Sequence, residues 1–461
     1  MTKLINDGWM FAKLPLGSTL ADAEKADFTP VDLPHDWLIW QTENLYESAD
    51  AWYMRELVFS TKAELPVSIL VFDGVYMNCD VLLNGEVICS HPYGYTAFQV
   101  PLTGKLQSGK NQLMVHIRHQ SPNSRWYSGS GIFRDVTLLR LPESHLVPDG
   151  LAVKTERTDD GWQLRLTAET EGPADILCRC TMTDAGGCVV SEAAGKSRDG
   201  KISISMMIQG GYSWSPEHPY LYTLRLEYAG QSEIRRVGLR SLAMDPEKGL
   251  LLNGKKIRLH GVCLHHDLGA LGAAFHEKAA RRQLRVMKEM GVNAVRTSHN
   301  PPAARFLDIC DEMGILVDDE AFDMWERPKT TYDYARFFDE WVERDVASWV
   351  RRDRCHPSVF MWSIGNEIYD MHADLRGTEI TKYLAEQVRL HDSMHHAFTT
   401  FGCNYMPWEG GQRCADFVEA VGYNYGEKYY DDHHRAHPSW VIYGSETASV
   451  LASRGACIRK G

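Results

Sequence analysis

Two glutamates in the C-terminal half of the chain follow apolar runs that packing alone would not end with a charge. Glu367 ends the run SVFMWSIGNE, and Glu446 lies near the end of the run SWVIYGSET. A carboxylate in such a position must be paired or used in chemistry, because an isolated buried charge is costly. Two carboxylates that face each other across a cleft suit glycoside hydrolysis, in which one attacks the anomeric carbon and the other protonates the leaving oxygen.

That chemistry requires the two carboxyl groups to differ in protonation. The general acid needs a raised pKa, whereas the nucleophile must stay ionised. An anionic neighbour raises the pKa of the acid until the covalent intermediate neutralises that neighbour. For a retaining mechanism we expect the two carboxyl carbons to lie about 5–5.5 Å apart, whereas an inverting mechanism would need about 6.5–9.5 Å.

The segments that carry these glutamates predict a parallel β-sheet covered by helices. After Gly249, strand-like apolar runs alternate with helical patterns, which is typical of a (β/α)8 barrel. Reactive groups in such a barrel lie at the C-terminal ends of the strands. We count seven strands, and the polar residues at their ends are His265, His266 and Asp267; Arg296, Ser298, His299 and Asn300; Asp319, Glu320 and Asp323; Asn366 and Glu367; Tyr423, Asn424 and Tyr425; and Glu446.

Some of these polar residues have a purely structural interpretation. Asp319 and Glu320 could be ion-pair partners of Arg296, and for Glu320 the structural and functional interpretations stay equally open. For His266 we favour a hydrogen bond to the backbone. Glu367 and Glu446 are harder to explain in this way, because both follow long apolar runs.

The first 242 residues predict antiparallel β-structure. Short alternating runs such as VSILVFDGV and KISISMMI are bounded by turns, and Asn84-Gly85 between two apolar runs is typical of a type I′ hairpin. We predict a multidomain chain of β plus α/β class: an N-terminal jelly-roll β-sandwich (1–142), an immunoglobulin-like β-sandwich (143–242) and a TIM barrel (243–461). With seven strands, this barrel is expected to be incomplete.

The composition argues against two classes of partner. The formal net charge is −12 and there is no basic arm, which argues against nucleic acid. No apolar window of about eighteen residues occurs, so we predict no membrane span. The eleven cysteines lack a metal-binding spacing and no signal peptide is recognisable, which favours reduced thiols and a cytoplasmic location. Whether the chain forms a homo-oligomer stays open.

Several motifs together resemble glycoside hydrolase family 2. RCHPSVFMWSIGNE (354–367) is similar to the acid/base signature of that family, and YGSETAS (443–449) looks like its nucleophile strand. Two further motifs are similar to the first two barrel strands of its β-galactosidase-like members, and two resemble its N-terminal sugar-binding domain. These four are LLNGKKIRLHGVCLHHDLGALG (251–272), GVNAVRTSHNPP (291–302), LPHDW (33–37) and RWYSGSGIFRDV (125–136).

The resemblance implies a role for eight residues. Glu367 would be the general acid/base and Glu446 the nucleophile, while Asn366 would hydrogen-bond the 2-hydroxyl group of the sugar. The other residues that it places around the −1 subsite are His265, His299, Tyr425, Asp323 and Trp325.

The chain departs from the better-known members of that family in three ways. Those members carry a Glu-x-His pair after the third strand that binds magnesium, whereas DEAFDMWE (319–326) offers Asp323 without a following His. We therefore expect no cofactor, and magnesium is the alternative that stays open. The position three residues after the nucleophile is Ser449 rather than His. The eighth strand is missing, and LASRGACIRKG (451–461) would barely begin a helix.

The resemblance implies a retaining, exo-acting β-glycosidase with a carbohydrate substrate, most simply a terminal β-D-galactoside. The alternative substrate is a β-glucuronide, because β-glucuronidases share both catalytic glutamates. An interpretation of another class follows from the strand count. Open sheet edges and a poorly held Glu446 would make the chain a poorly soluble, inactive carbohydrate-binding fragment.

Overall fold

Antiparallel β-structure makes up the first part of the chain, as the alternating runs predict. The computed structural model describes residues 2–60 and 66–448. Ten strands and one short helix form its first region: β1 (Thr2–Leu4), β2 (Trp9–Leu14), α1 (Leu20–Ala23), β3 (Thr29–Val31), β4 (Ala49–Phe59), β5 (Val67–Phe72), β6 (Cys79–Leu83), β7 (Glu86–His91), β8 (Phe98–Pro101), β9 (Gly109–His119) and β10 (Val136–Leu141). They pair in two sheets, in the orders β1-β10-β5-β8 and β3-β2-β4-β9-β6-β7.

The hairpin predicted at Asn84-Gly85 is confirmed. These two residues connect β6 and β7, and their φ angles are +51° and +87°. A type I′ turn needs a positive φ at both central residues, which Asn and Gly adopt more readily than other residues.

A second antiparallel region follows. Its strands are β11 (His145–Leu146), β12 (Ala152–Thr158), β13 (Gly161–Glu171), β14 (Leu177–Thr183), β15 (Val189–Lys196), β16 (Lys201–Gln209), β17 (Tyr222–Tyr228) and β18 (Gln231–Val237). One sheet contains β11, β12, β13 and β16, and the other has the order β15-β14-β17-β18. Alternation decides which side chains enter the core: in β16 the buried residues are Ile202, Ile204, Met206 and Ile208.

A small sheet of β19 (Leu242–Asp245), β20 (Gly249–Leu252) and β21 (Lys255–Lys256) connects this region to the barrel. The apolar segment KIRLHGVCL (256–264) does not form one continuous strand. Lys255 and Lys256 pair antiparallel with β20, and the first barrel strand begins only at Gly261. The chain must change from an antiparallel to a parallel neighbour between these points, so one continuous strand cannot serve both.

Seven parallel strands in sequential order form the described part of the C-terminal region (up to residue 448), as predicted. They are β22 (Gly261–Leu264), β23 (Ala294–Thr297), β24 (Leu316–Glu320), β25 (Val359–Asn366), β26 (Phe398–Cys403), β27 (Val421–Asn424) and β28 (Ile442–Glu446). The helices are α2 (Glu277–Glu289), α3 (Ala304–Met313), α4 (Phe338–Asp353), α5 (Tyr369–Ala373), α6 (Arg376–His391), α7 (Glu409–Ala415) and α8 (Tyr430–Ala436), and short 3-10 helices span Leu38–Trp40, Gly269–Leu271, Tyr334–Phe337 and Glu427–Tyr429.

The parallel sheet curls until its first and last strands nearly meet. The Sγ atom of Cys263 in β22 lies 3.3 Å from the carbonyl oxygen of Ser445 in β28. Every residue of β23 to β27 is buried, as expected for strands covered on both faces. The helix expected after residue 450, and the position of Ser449, lie outside the described residues.

Two findings concern all of the described residues together. The ten cysteines within the described ranges are all free thiols. Within the same ranges, no helix is long and apolar enough to cross a membrane.

Candidate active site

The C-terminal ends of the barrel strands bring the predicted polar residues together. Glu367 follows the last residue of β25, and Glu446 is the last residue of β28. The side chains of Glu367 and Glu446 are 15% and 14% exposed, so each carboxylate lies in a recess that solvent still reaches.

Arg296 in β23 is the cation at the centre of this rim. Its guanidinium group donates to Oε2 of Glu320 from Nε (2.9 Å) and Nη2 (2.6 Å), and Nη1 donates to Oε1 of Glu446 at 2.8 Å. Nη2 also donates to Oδ1 of Asn366 at 2.9 Å. With a side chain only 4% exposed, Arg296 ties strands β23, β24, β25 and β28 together through charge-assisted hydrogen bonds.

These contacts keep Glu446 ionised. Burial alone would raise the pKa of its carboxyl group, but the charge of Arg296 and hydrogen bonds from Tyr425 and Arg296 outweigh burial and lower that pKa. The hydroxyl group of Tyr425 donates to Oε2 at 2.7 Å, and Nε2 of His299 lies 3.7 Å from Oε1. An ionised, hydrogen-bonded carboxylate is what a nucleophile requires.

Glu367 is held mainly through its backbone. Its φ of +45° is unusual for a residue with a side chain, and its N–H donates to the carbonyl oxygen of Gly402 at 2.7 Å. The side chain accepts one hydrogen bond from Nδ2 of Asn424 (3.2 Å) and one from Nη1 of Arg125 (3.3 Å). Both carboxylate oxygens therefore face polar groups of the same rim.

Asn366 and Asp323 form a second polar group beside Glu367. Nδ2 of Asn366 donates to Oδ1 of Asp323 at 2.9 Å, and its Oδ1 accepts from Asn424 at 3.0 Å. Asp323 also accepts from Nη2 of Arg125 (2.9 Å) and Nζ of Lys329 (2.8 Å). Burial would raise the pKa of Asp323, but Lys329, His299 and Arg125 lower it.

The remaining predicted residues occupy different positions. His265 is exposed and packs against Trp126, with 4.6 Å between ring centroids, while His299 packs against the same indole at 4.8 Å. Tyr425 is 47% exposed at the mouth. Trp325, by contrast, is fully buried and donates to the carbonyl oxygen of Ile364, so it supports β25 without presenting a surface to the cleft.

Asp319 and Glu320 were both expected as ion-pair partners of Arg296. Glu320 faces the barrel interior and forms this ion pair, so the expectation is confirmed for Glu320 and was wrong for Asp319. The side chain of Asp319 points to the opposite face, where burial and the neighbouring Asp353 raise its pKa well above the ordinary range. The hydrogen bond to the backbone that we expected for His266 is also found, because its Nε2 lies 2.9 Å from the backbone oxygen of Ser128.

Two models of glycosyl hydrolases family 2 match the chain, the sugar binding domain at residues 15–142 and the TIM barrel domain at residues 245–397. A β-galactosidase from Bacteroides ovatus is 38% identical over 82% of the chain, and a putative β-glucuronidase from Formosa agariphila is 33% identical over 74%. A crystal structure of a family 2 member from Bacteroides cellulosilyticus is 31% identical, has a TM-score of 0.88 and covers 96% of this chain and 61% of its own.

The chain belongs to glycoside hydrolase family 2. It spans about half of the Bacteroides ovatus protein (48%) and about a third of the Formosa agariphila protein (34%).

A family 2 magnesium site of the Glu-x-His kind does not fit the residues found here. Asp323 would have to be a ligand, but both Lys329 and Arg125 already donate to its carboxylate. Two cations at hydrogen-bonding distance would repel a divalent ion. Among the described residues, a cluster with metal-ligand spacing is formed by Asp308, Asp311 and His356, but Asp311 and His356 bond each other and the cluster lies at the other end of the barrel.

Sequence reasoning missed three residues of this family 2 site. Arg125 and Trp126 come from a loop of the first β-region, and Lys329 comes from the loop after β24. All three reach the barrel mouth, where Arg125 lies 4.8 Å from the ring of Trp126. The motif RWYSGSGIFRDV contained the signal for two of them, since it begins with this Arg-Trp pair.

Proposed function

We propose that this chain carries the active site of a retaining β-glycosidase, with Glu446 as nucleophile and Glu367 as general acid/base. The observation that carries the proposal is that two carboxylates lie at one rim of the barrel and have different surroundings. Glu446 is bound by Arg296 and Tyr425 and has a lowered pKa, whereas Glu367 follows β25 and accepts hydrogen bonds from Arg125 and Asn424. Family membership supports the same assignment.

In this mechanism Glu446 attacks the anomeric carbon while Glu367 gives its proton to the leaving oxygen. Glu367 then removes a proton from the water that releases the sugar. Asn366, fixed by Arg296, Asp323 and Asn424, is proposed to bind the 2-hydroxyl group. His265, His299, Asp323 and Tyr425 are proposed to line the −1 subsite, and Trp325 to support it from below.

The chain is proposed to act on terminal β-D-galactosides. The relative at 38% identity is named a β-galactosidase, and several further relatives bear the same name. The half-buried indole of Trp126 between His265 and His299 offers an apolar face of the kind that packs against a pyranose ring. The location of the protein is proposed to be cytoplasmic, as the free thiols suggest.

A β-glucuronide is the second candidate substrate, and a partly exposed cation at the rim favours it. Arg125 is 33% exposed, so its guanidinium could exchange a contact with Asp323 for a sugar carboxylate. A putative β-glucuronidase is also among the relatives.

Parallel assays with chromogenic β-galactoside, glucuronide, mannoside and fucoside separate these candidates. We expect the galactoside to give the highest kcat/KM. If the glucuronide is the better substrate instead, Arg125→Gln should raise its KM at least tenfold and leave that of the galactoside nearly unchanged. Saturable galactose binding without hydrolysis of any substrate would favour the carbohydrate-binding interpretation.

The nucleophile can be tested independently of turnover rate. A 2-deoxy-2-fluorogalactoside with a good leaving group should form a stable glycosyl ester, and mass spectrometry should find the added sugar on the peptide that carries Glu446. NMR should detect the β-anomer as the first product, because two displacements retain configuration. A label on another residue, or a first-formed α-anomer, would refute the mechanism.

A further inference from the structure

A second polar cavity lies at the base of the barrel, opposite to the carboxylate rim. It has a volume of about 290 Å³ and is lined by β12 of the second β-region and by residues that precede or begin β25 and β26, including Pro357 and Phe398. The eight residues of β25 span roughly 26 Å between this base and Glu367. The cavity is thus distinct from the candidate active site.

Arg240 lines this cavity as a buried cation without a carboxylate partner. It is 4% exposed, and Nη2 donates to the backbone oxygens of Val359 (2.5 Å) and His396 (3.2 Å). Within residues 2–60 and 66–448, Nη1 of Arg240 has no hydrogen-bond partner. Within the same residues, Arg240 forms no ion pair. Burial lowers the pKa of Arg240 to about 9. A buried charge of this kind is normally paired.

The imidazole of His396 does not satisfy Nη1. Its Nε2 lies 2.7 Å from Nη2 of Arg240 and 2.8 Å from the backbone oxygen of His356, so it contacts the other terminal nitrogen of the guanidinium group. Burial and the charge of Arg240 hold the pKa of His396 well below its ordinary value, which leaves the ring neutral.

A second cation, Lys154, lines the same cavity. Its Nζ donates to the backbone oxygen of His395 at 2.9 Å, and the nearest carboxylate, that of Glu156, is 3.8 Å away. The neighbouring Asp392 is already used, because it accepts hydrogen bonds from Trp362 and from two backbone N–H groups. The residues that line the cavity include these two cations and no carboxylate, although Asp311 and Asp392 lie close enough to raise the pKa of Arg240.

We propose that this cavity, between the second β-region and the barrel base, binds a small oxyanion, a carboxylate or phosphate group, through Nη1 of Arg240 and Nζ of Lys154. A planar guanidinium edge with free N–H donors matches either group. The volume far exceeds the share of one water molecule in the liquid, about 30 Å³, so the group can belong to a larger molecule.

Isothermal titration with inorganic phosphate and with acetate, at ionic strength kept constant with sodium chloride, tests the proposal. We expect saturable binding of one anion per chain and at least tenfold weaker binding in both Lys154→Met and Arg240→Met. Lys110→Met is the matched control, because Lys110 is an exposed, ion-paired lysine of the first β-region and should change nothing. Whichever of phosphate and acetate binds more tightly identifies the class of anion that the cavity prefers.

Three results would overturn the proposal. They are binding of neither anion, equal binding by wild type and Lys154→Met, and loss of binding in Arg125→Gln, which would place the anion in the active site. If Arg240→Met does not fold, Lys154→Met decides alone, since Lys154 is partly exposed and its removal leaves no buried group unpaired. The proposal does not depend on the glycosidase activity, so failure of one leaves the other standing.

Discussion

β25 and β28 present their glutamates at the same rim but support them differently. β25 has a paired strand on each side, and all eight of its residues are buried. β28 pairs with β27, and of its five residues Ser445 alone is buried. Nevertheless the two carboxylate side chains are almost equally exposed, at 15% and 14%.

The difference lies in what fixes each carboxylate. Glu367 is placed by the backbone of a buried strand, through its left-handed φ and its hydrogen bond to Gly402. Glu446 is placed by side chains of other strands, chiefly Arg296 and Tyr425. Substitutions of those distant side chains should therefore affect the proposed nucleophile much more than the proposed acid/base.

Glu446→Gln should have the largest effect. Without a nucleophile no glycosyl ester forms, and kcat should fall by a factor on the order of 10⁴ to 10⁶ for every substrate, as for other nucleophile deletions.

Glu367→Gln should lower kcat by a factor of about 10²–10⁴ with poor leaving groups, the usual size of general acid catalysis. Its loss should be much smaller with dinitrophenyl glycosides, which need no protonation. Equal losses for good and poor leaving groups in Glu367→Gln would contradict the assignment.

Arg296→Met should come next, because it removes the support of Glu446 and leaves the buried carboxylate of Glu320 without its arginine, held only by His299 and Ser363. We expect kcat to fall about 10²–10³-fold, as when one preorganised donor is lost. Unfolding should become easier by about 3–5 kcal/mol, the usual cost of breaking a buried ion pair. Urea denaturation measures that cost. Arg281→Met is the control, because Arg281 is a more exposed ion-paired arginine on α2. A fully active Arg296→Met would show that Glu446 is held by other means.

The parts of this site that sequence could predict are those set by strand periodicity and order. Apolar runs ending in Glu367 and Glu446 predicted both rim positions, because parallel strands end at the same face. Period-two alternation could also have separated Glu320 from Asp319, since neighbours along a strand point to opposite faces.

The parts that sequence could not predict depend on contacts between distant segments. Arg125 bonds Asp323, 198 residues away, and no local pattern records that meeting. Trp325 was expected at the cleft because of its motif, yet its ring is buried under β25. Whether a loop residue points into a cleft or beneath it depends on packing that a single sequence does not encode.

Gly402→Ala should have a smaller effect that acts through Arg296. A Cβ atom at Gly402 would lie 2.4 Å from Nη2 of Arg296, so the guanidinium would have to move. We expect kcat/KM to fall by about tenfold, equivalent to about 1.4 kcal/mol of transition-state stabilisation. Gly261→Ala is the matched control on another barrel strand, because its nearest neighbour would be 3.6 Å from the new Cβ. An unchanged rate in Gly402→Ala would mean that Arg296 can shift without moving Glu446.

Tyr425→Phe should have the smallest effect, visible mainly in the pH profile. The hydroxyl group of Tyr425 stabilises the ionised form of Glu446, whose pKa is lowered in this site. Because Glu446 must be ionised to attack, kcat/KM should fall as the pH drops through that lowered pKa. Removing the donor raises the pKa of Glu446, so the acidic limb should move to higher pH. The pH profile of kcat/KM measures this limb, since it reports groups of the free enzyme. An acidic limb that stays in place would mean that Tyr425 does not support Glu446, and the contrast between the two strands would then fail.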